Sequence, residues 1–324
     1  MKFLRTLFDG FTLALFATVA LAALLPCEGR VAVAFDHLTV AGIAVLFFLH
    51  GARLPREAIL AGLTNWKLHL LVLACTFALF PLLGLVLKPL ATAVATPALY
   101  PGLLYLCCLP STVQSSIAFT AIARGNVPAA VCAASLSNLA GVFVTPLLVA
   151  LLLTTRGEGT SPLRAIGDIV LQLLVPFLAG HLLRPWIGSA IERWRGVLSY
   201  TDRGTVLLVV YVAFSASVVE GLWHLVPPLA LLGLLAVVVL LLAIVLATTT
   251  VLSRRLGFSR ADEIAVVFCG SKKSLASGVP MAKILFAGNP ALGMLVLPVM
   301  LFHQVQLMAC AMLAQRYARR SGDG

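Results

Sequence analysis

The chain has 324 residues, 61% of them hydrophobic and only 11% charged, and its mean hydropathy is +1.05. So few charges cannot cover a water-soluble protein of this length, and the apolar residues come in blocks of the ~20 residues that carry a helix across a ~30 Å hydrocarbon layer. The formal net charge of +11 does not indicate nucleic acid as a partner, because the basic residues sit in short gaps between apolar blocks, where lysine and arginine set membrane orientation.

Met1–Arg5 and the apolar run to Leu25 have the outline of a signal peptide. Leu25-Pro26-Cys27 lacks the small residue that a lipoprotein site needs before its cysteine, and removing the segment would spoil the even span count, so it is read as the first span. Apolar blocks bounded by Gly, Pro or charge then give ten spans: 9–26, 36–52, 66–88, 98–123, 127–154, 166–187, 203–221, 227–252, 262–286 and 290–316. Strand-like alternation is absent, and backbone groups in lipid must be satisfied within the segment, so the spans are helices. The second and seventh look short, and the fourth and ninth are interrupted.

Alternating the loops places Lys2, Arg5, Arg53, Arg56, Lys67, Arg124, Arg184, Arg193, Arg195, Arg203, Arg254, Arg255, Arg260, Arg316, Arg319 and Arg320 on one side. Only Arg30, Lys88, Arg156 and Arg164 fall on the other, while Lys272, Lys273 and Lys283 lie within the ninth span. This asymmetry puts both termini in the cytoplasm of a multi-pass protein of the cell (inner) membrane. Arg124-Gly125-Asn126-Val127-Pro128 joins the fourth and fifth spans as Ala287-Gly288-Asn289-Pro290 joins the ninth and tenth, and the same offset carries Ser111 onto Ser274. The second span ends at His50-Gly51 and the seventh at Glu220-Gly221. Each match alone is a short turn of a kind that recurs by chance. Together with the charge alternation, and a hydrophilic link near Thr155–Pro162, they divide the chain into residues 1–155 and 156–324, two five-helix repeats of opposite orientation.

Cys27, Cys75, Cys107, Cys108, Cys132, Cys269 and Cys310 form no CxxC pair, and six lie in apolar spans as small hydrophobes. No HExxH, Walker A loop or nucleophile elbow is present, so an enzyme is not expected. The chemistry-bearing residues gather elsewhere. The fourth span carries Pro110-Ser111-Thr112-Val113-Gln114-Ser115-Ser116 in mid-membrane. Pro110 removes a helical donor and should break the helix, and peptide groups freed there must face protein or a cavity. They can coordinate a cation or orient a solute; the plainer alternative is a kink whose hydroxyls bond neighbouring carbonyls.

The ninth span carries Gly270-Ser271-Lys272-Lys273-Ser274, with Gly278 and Pro280 also marking a break. Each lysine at mid-membrane costs about 2.5–3.5 kcal/mol on an insertion scale. The competing reading, a late-starting span with the pair in a loop, is opposed by the charged flank Arg260-Asp262-Glu263. The fifth span adds Ser135, Ser137 and Asn138, the first and last sharing a helix face. The tenth adds His303, Gln304 and Gln306, and the third adds Thr76, five residues before Pro81. No acidic residue lies at the centre of a span within these limits.

Pro110–Ser116 with Ile117-Ala118-Phe119-Thr120, the Arg124-Gly125-Asn126 turn, Ser135–Asn138, and Gly270–Ser274 with Leu275 resemble the bile acid:sodium symporter family, also called the sodium bile acid cotransporter family, and within it the orphan bacterial and vertebrate branch. The resemblance covers essentially the whole chain. It implies an all-α integral membrane protein of ten transmembrane helices. Helices 1, 2, 6 and 7 would form a panel domain and the others a core domain, with broken helices 4 and 9 crossing in the core. It also implies ion ligands at Ser115, Ser116, Ser135 and Asn138, a polar third-helix ligand at Thr76, and a solute-facing pair at His303 and Gln304. Thr112, Gln114, Ser271, Lys272 and Lys273 complete the expected ion-binding set, and Ser111 and Ser274 the solute-binding set.

The chain departs from the sodium-coupled pattern, which has a glutamate and a glutamine in the ninth-helix crossing. Phe268-Cys269-Gly270-Ser271-Lys272-Lys273 contains no acid. Either a lysine takes the place of one sodium, or it supplies the counter-charge for an anionic solute. The expected function is a sodium-coupled symporter of an organic anion, with no cofactor beyond the sodium ion, and with the solute and the lipid bilayer as partners. Proton coupling or uniport with a lysine in place of sodium, and a non-transporting regulatory membrane protein, stand beside it.

Overall fold

A computed structural model describes residues 10–53, 65–153, 170–221 and 226–320, and among these the regular structure is helical throughout. In chain order the helices are α1 (Gly10–Leu24), α2 (Gly29–Arg53), α3 (Trp66–Val86), a short helix at Lys88–Val94, α4a (Tyr100–Cys108), α4b (Gln114–Ile122) and α5 (Val127–Leu152). They continue with a π turn at Val170–Leu174, α6 (Val175–Arg193), α7 (Arg195–Val219), α8 (Pro228–Arg255), α9a (Arg260–Gly270), α9b (Leu275–Leu285) and α10 (Leu292–Arg320). Six of these, α2, α3, α5, α7, α8 and α10, are long and apolar enough to cross a membrane.

Two expectations are corrected. The second and seventh helices are not short: α2 starts at Gly29 rather than 36, and α7 at Arg195 rather than 203. Polar residues ended the apolar blocks in the sequence, but they do not end the helices, because their charges are paired. Asp36 of α2 meets Lys283 of α9b, and Asp202 of α7 meets Arg53 of α2. The link at Thr155–Pro162 and the division at 155/156 lie outside the described residues, as do Lys2, Arg5, Arg56, Arg156 and Arg164.

The helices pack as two groups. Helices α1, α2, α6 and α7 lie against one another, and α3, α4, α5, α8, α9 and α10 form the second group; α7 joins the two by packing on α9b and α10. Helices α2 and α6 approach each other very closely. A Cβ at Gly51 would lie 1.9 Å from the Phe177 carbonyl oxygen, and a Cβ at Gly180 would lie 1.9 Å from that of Phe48. Only glycine admits such backbone contact, which replaces the hydrophobic drive that helices lack among lipid tails. In the second group Gly141 of α5 makes room for Pro110, whose ring would lie 2.6 Å from a Cβ there.

Candidate functional site: two broken helices that cap each other

The fourth helix breaks at its proline. Pro110 has no N–H to continue the ladder, α4a stops at Cys108, Leu109 is extended (φ −76°, ψ 153°), and α4b begins at Gln114. The ninth helix breaks at the lysines themselves. α9a stops at Gly270, and Ser274 caps α9b by accepting from the Ser277 amide at 3.2 Å. Gly278 and Pro280, read as part of the break, lie inside α9b.

A helix end leaves its last carbonyls without partners, and here nearly every such group is met by the other break or by a neighbouring helix. The Ser274 amide donates to Pro110 O at 2.8 Å. Ser111 Oγ donates to Cys269 O at 2.5 Å, and Ser116 Oγ to Phe268 O at 3.0 Å. Thr145 Oγ1 donates to Cys108 O at 2.8 Å and the Ser111 amide to Ser137 Oγ at 3.1 Å, while Tyr105 OH ties α4a to the interior of α9b by donating to Gly278 O at 2.6 Å. Ser271 Oγ turns back to Val267 O at 2.6 Å. The freed carbonyls of the crossing point at protein donors.

The two lysines are almost completely buried, at 0% and 1% exposure, and they leave the break towards different neighbours. Lys273 Nζ donates to Thr76 O at 2.7 Å, Cys107 O at 2.9 Å and Leu109 O at 2.7 Å, matching the three donors of an ammonium with three carbonyls. The main chain of Lys273 is held by Gln306, whose Oε1 accepts from its amide and whose Nε2 donates to its carbonyl, both at 2.9 Å. Gln306 also meets His303 Nδ1 at 3.0 Å. Lys272 Nζ lies 3.9 Å from the Phe119 ring centroid and 5.7 Å from that of Phe268, and makes no hydrogen bond among the described residues.

The other expected residues divide by exposure. Ser111, Thr112, Ser116, Ser271, Ser274 and Thr76 are buried. Thr112 Oγ1 lies 2.8 Å from Ser115 Oγ and 3.0 Å from Ser116 Oγ, which makes a three-hydroxyl cluster at the start of α4b. Gln114 is exposed, while Ser115, Ser135, Asn138, His303 and Gln304 are partly exposed. Asn138 Oδ1 accepts from Ser277 Oγ at 2.9 Å. Gln304 accepts from Thr12 of α1 at 3.2 Å and edges an apolar cavity lined by Leu15, Phe16, Phe214, Met300 and Leu301, where α1 and α7 face α10. Thr76 reaches the site through its carbonyl; its hydroxyl bonds Val72 O at 2.8 Å. Tyr105, Thr145 and Ser277 were missed from sequence. Each is a lone polar side chain in an apolar run, and nothing local distinguishes it from a satisfied helix hydroxyl. All seven cysteines are free and buried, and among the described residues no group of His, Cys, Asp and Glu is placed to hold a metal ion.

The chain is similar to known proteins over nearly its whole length. The model of the SBF-like CPA transporter family matches residues 9–319. The uncharacterized protein PA2026 of Pseudomonas aeruginosa is 66% identical over 319 residues, covering 98% of this chain and 96% of that protein. An Escherichia coli protein that carries the name "Putative symporter YfeH" is 53% identical, covering 99% and 96%. Sodium/bile acid cotransporter 7 of Rattus norvegicus is 30% identical over 283 residues, covering 86% and 82%.

Proposed function

The chain belongs to the SBF-like CPA transporter family, a family of membrane-spanning carriers and not of enzymes, and from that premise we propose that it moves an organic anion by alternating access, coupled to sodium. The observation that carries the anionic part is local. Half helices α4b and α9b both begin at the crossing, so their positive dipole ends lie there. The ninth-helix break also carries a buried ammonium, Lys272, which lies against Phe119 of α4b and Phe268 of α9a without a hydrogen-bond partner among the described residues. The acids of α9a are held elsewhere: Glu263 accepts two bonds from Arg254 at 3.0 and 3.1 Å and one from Tyr317 at 2.8 Å, and Asp262 accepts from Asn126 at 2.7 Å.

In this reading the ten helices, counting α4a with α4b and α9a with α9b, each cross the inner membrane, with both termini cytoplasmic. They form two inverted repeats, residues 1–155 and 156–324. The α1, α2, α6 and α7 group is the panel and the other group the core. The solute lies between them, against Gln304, His303 and the apolar cavity faced by α1, α7 and α10. Sodium is held by the hydroxyls of Thr112, Ser115 and Ser116 with Ser135 and Asn138. Neutral oxygens suffice for sodium, and no carboxylate is required.

The test is uptake into proteoliposomes of radiolabelled bile acids and simpler organic carboxylates and sulfonates, with and without inward sodium and proton gradients. Uptake of at least one anion, stimulated by sodium and lost in Lys272→Gln, is the expected result. Full uptake by Lys272→Gln removes the role of that charge, stimulation by protons alone moves the coupling to a proton, and no flux of any anion favours a non-transporting membrane protein.

A further inference from the structure

The cage around Lys273 Nζ is built by two prolines. In the π turn Cys75–Leu79 of α3 the Phe80 amide bonds Cys75 O, so the next amide along would serve Thr76 O; that residue is Pro81, which has none. The donor four residues after Cys107 is the Ser111 amide, which the break at Pro110 turns towards Ser137. Leu109 lies in the extended break itself. Three main-chain oxygens thus lack helical partners, come from two helices, and converge on one point. The Phe80 ring stands 4.0 Å from the charge placed there. Carbonyl oxygens so arranged are the ligands with which proteins replace the hydration shell of a monovalent cation.

We propose that this is a monovalent-cation site kept permanently filled by the chain's own ammonium, so that no free ion enters it. Shortening Lys273 opens the site to an alkali cation or to a small primary ammonium. The proposal rests on geometry alone as to binding, and on the transporter reading only for its consequence, one ion fewer in the transport cycle. The two are tested separately.

Full-length Lys273→Ala is purified in detergent and its thermal unfolding followed in sodium, potassium, lithium, n-propylammonium or choline chloride at one ionic strength. n-Propylammonium restores the atoms that the substitution removes. A saturable rise in Tm on the order of a few degrees, with sodium or n-propylammonium over choline, is expected for the variant, and no such difference for the wild type. Lys273→Gln is measured alongside because it folds more readily: its amide oxygen adds a fourth ligand, and sodium should raise its Tm over choline as well. If neither variant distinguishes any of these cations from choline, or if the wild type responds as the variants do, the proposal is overturned. Because the readout is unfolding, an absence of transport leaves the result intact.

Discussion

Lys272 and Lys273 are adjacent and equally buried, yet their surroundings differ in kind. On one side of the ninth-helix break an ammonium has three carbonyl acceptors at 2.7–2.9 Å and a main chain clamped by Gln306. On the other, an ammonium meets two aromatic faces and no acceptor among the described residues. Burial alone therefore does not tell what a charge is for; the accounting of donors does. A charge with every hydrogen bond made is part of the framework. In the proposed reading, the one with its donors unused is the charge that an anionic solute meets.

The sharpest way to break this comparison is to remove each charge while keeping its volume. Lys273→Met leaves three buried carbonyls without donors, at about 1–3 kcal/mol for each unsatisfied group before relaxation. A net loss of about 3–5 kcal/mol, similar to breaking a buried pair, should appear as a large fall in Tm in detergent. Lys272→Met gives up no hydrogen bond, so its stability should match or exceed that of the wild type, while anion uptake is lost. Equal falls in Tm for the two variants would contradict the division.

How far the sequence carried the reading follows from the same contrast. Pro110 and the Ser271–Ser274 stretch announced two breaks because proline and paired charges violate the helix pattern locally. The positions of Thr112, Ser115 and Ser116 on one short segment were likewise legible. The partner of Lys273 was not, because it is the main chain of Thr76, and main-chain acceptors carry no residue signature. Only Pro81, read together with a π turn that no pattern discloses, marks that carbonyl as free. The lengths of α2 and α7 were misjudged because Asp36 and Asp202 looked like helix ends until their partners Lys283 and Arg53 came from distant segments.

Pro81→Ala probes one wall of the cage. It returns an amide to the turn after Thr76, lets that carbonyl bond within its own helix, and takes one of three acceptors from Lys273. Loss of one charge-assisted hydrogen bond, with the added freedom of the unfolded chain, predicts a cost of about 1–2 kcal/mol. The cost should shrink in a Lys273→Met background, where the carbonyl gains a donor that it otherwise lacks. Additive effects in that double-mutant cycle would separate the proline from the cage.

A smaller effect tests the aromatic side. Phe119→Leu removes the face nearest Lys272 and should couple to that residue by about 0.5–2 kcal/mol, the range of a cation–π contact from exposed to desolvated. The coupling is read as the difference between the substitution made in wild type and in Lys272→Met. A coupling of zero would mean that the ring packs against the lysine stem and not its charge.

The least costly change to the fold is at Gln114, whose side chain is exposed and begins α4b. Gln114→Ala removes no buried partner, so its stability should stay within about 0.5 kcal/mol of the wild type. The half-helix dipole survives, because it belongs to the backbone. What is lost is a polar side chain placed where an incoming anion would meet that positive end, so uptake should show a raised KM with an unchanged maximal rate. That pattern marks an interaction made equally in bound and transition states. A fall in maximal rate with KM unaltered would move Gln114 out of the proposed entry path and into the framework that moves.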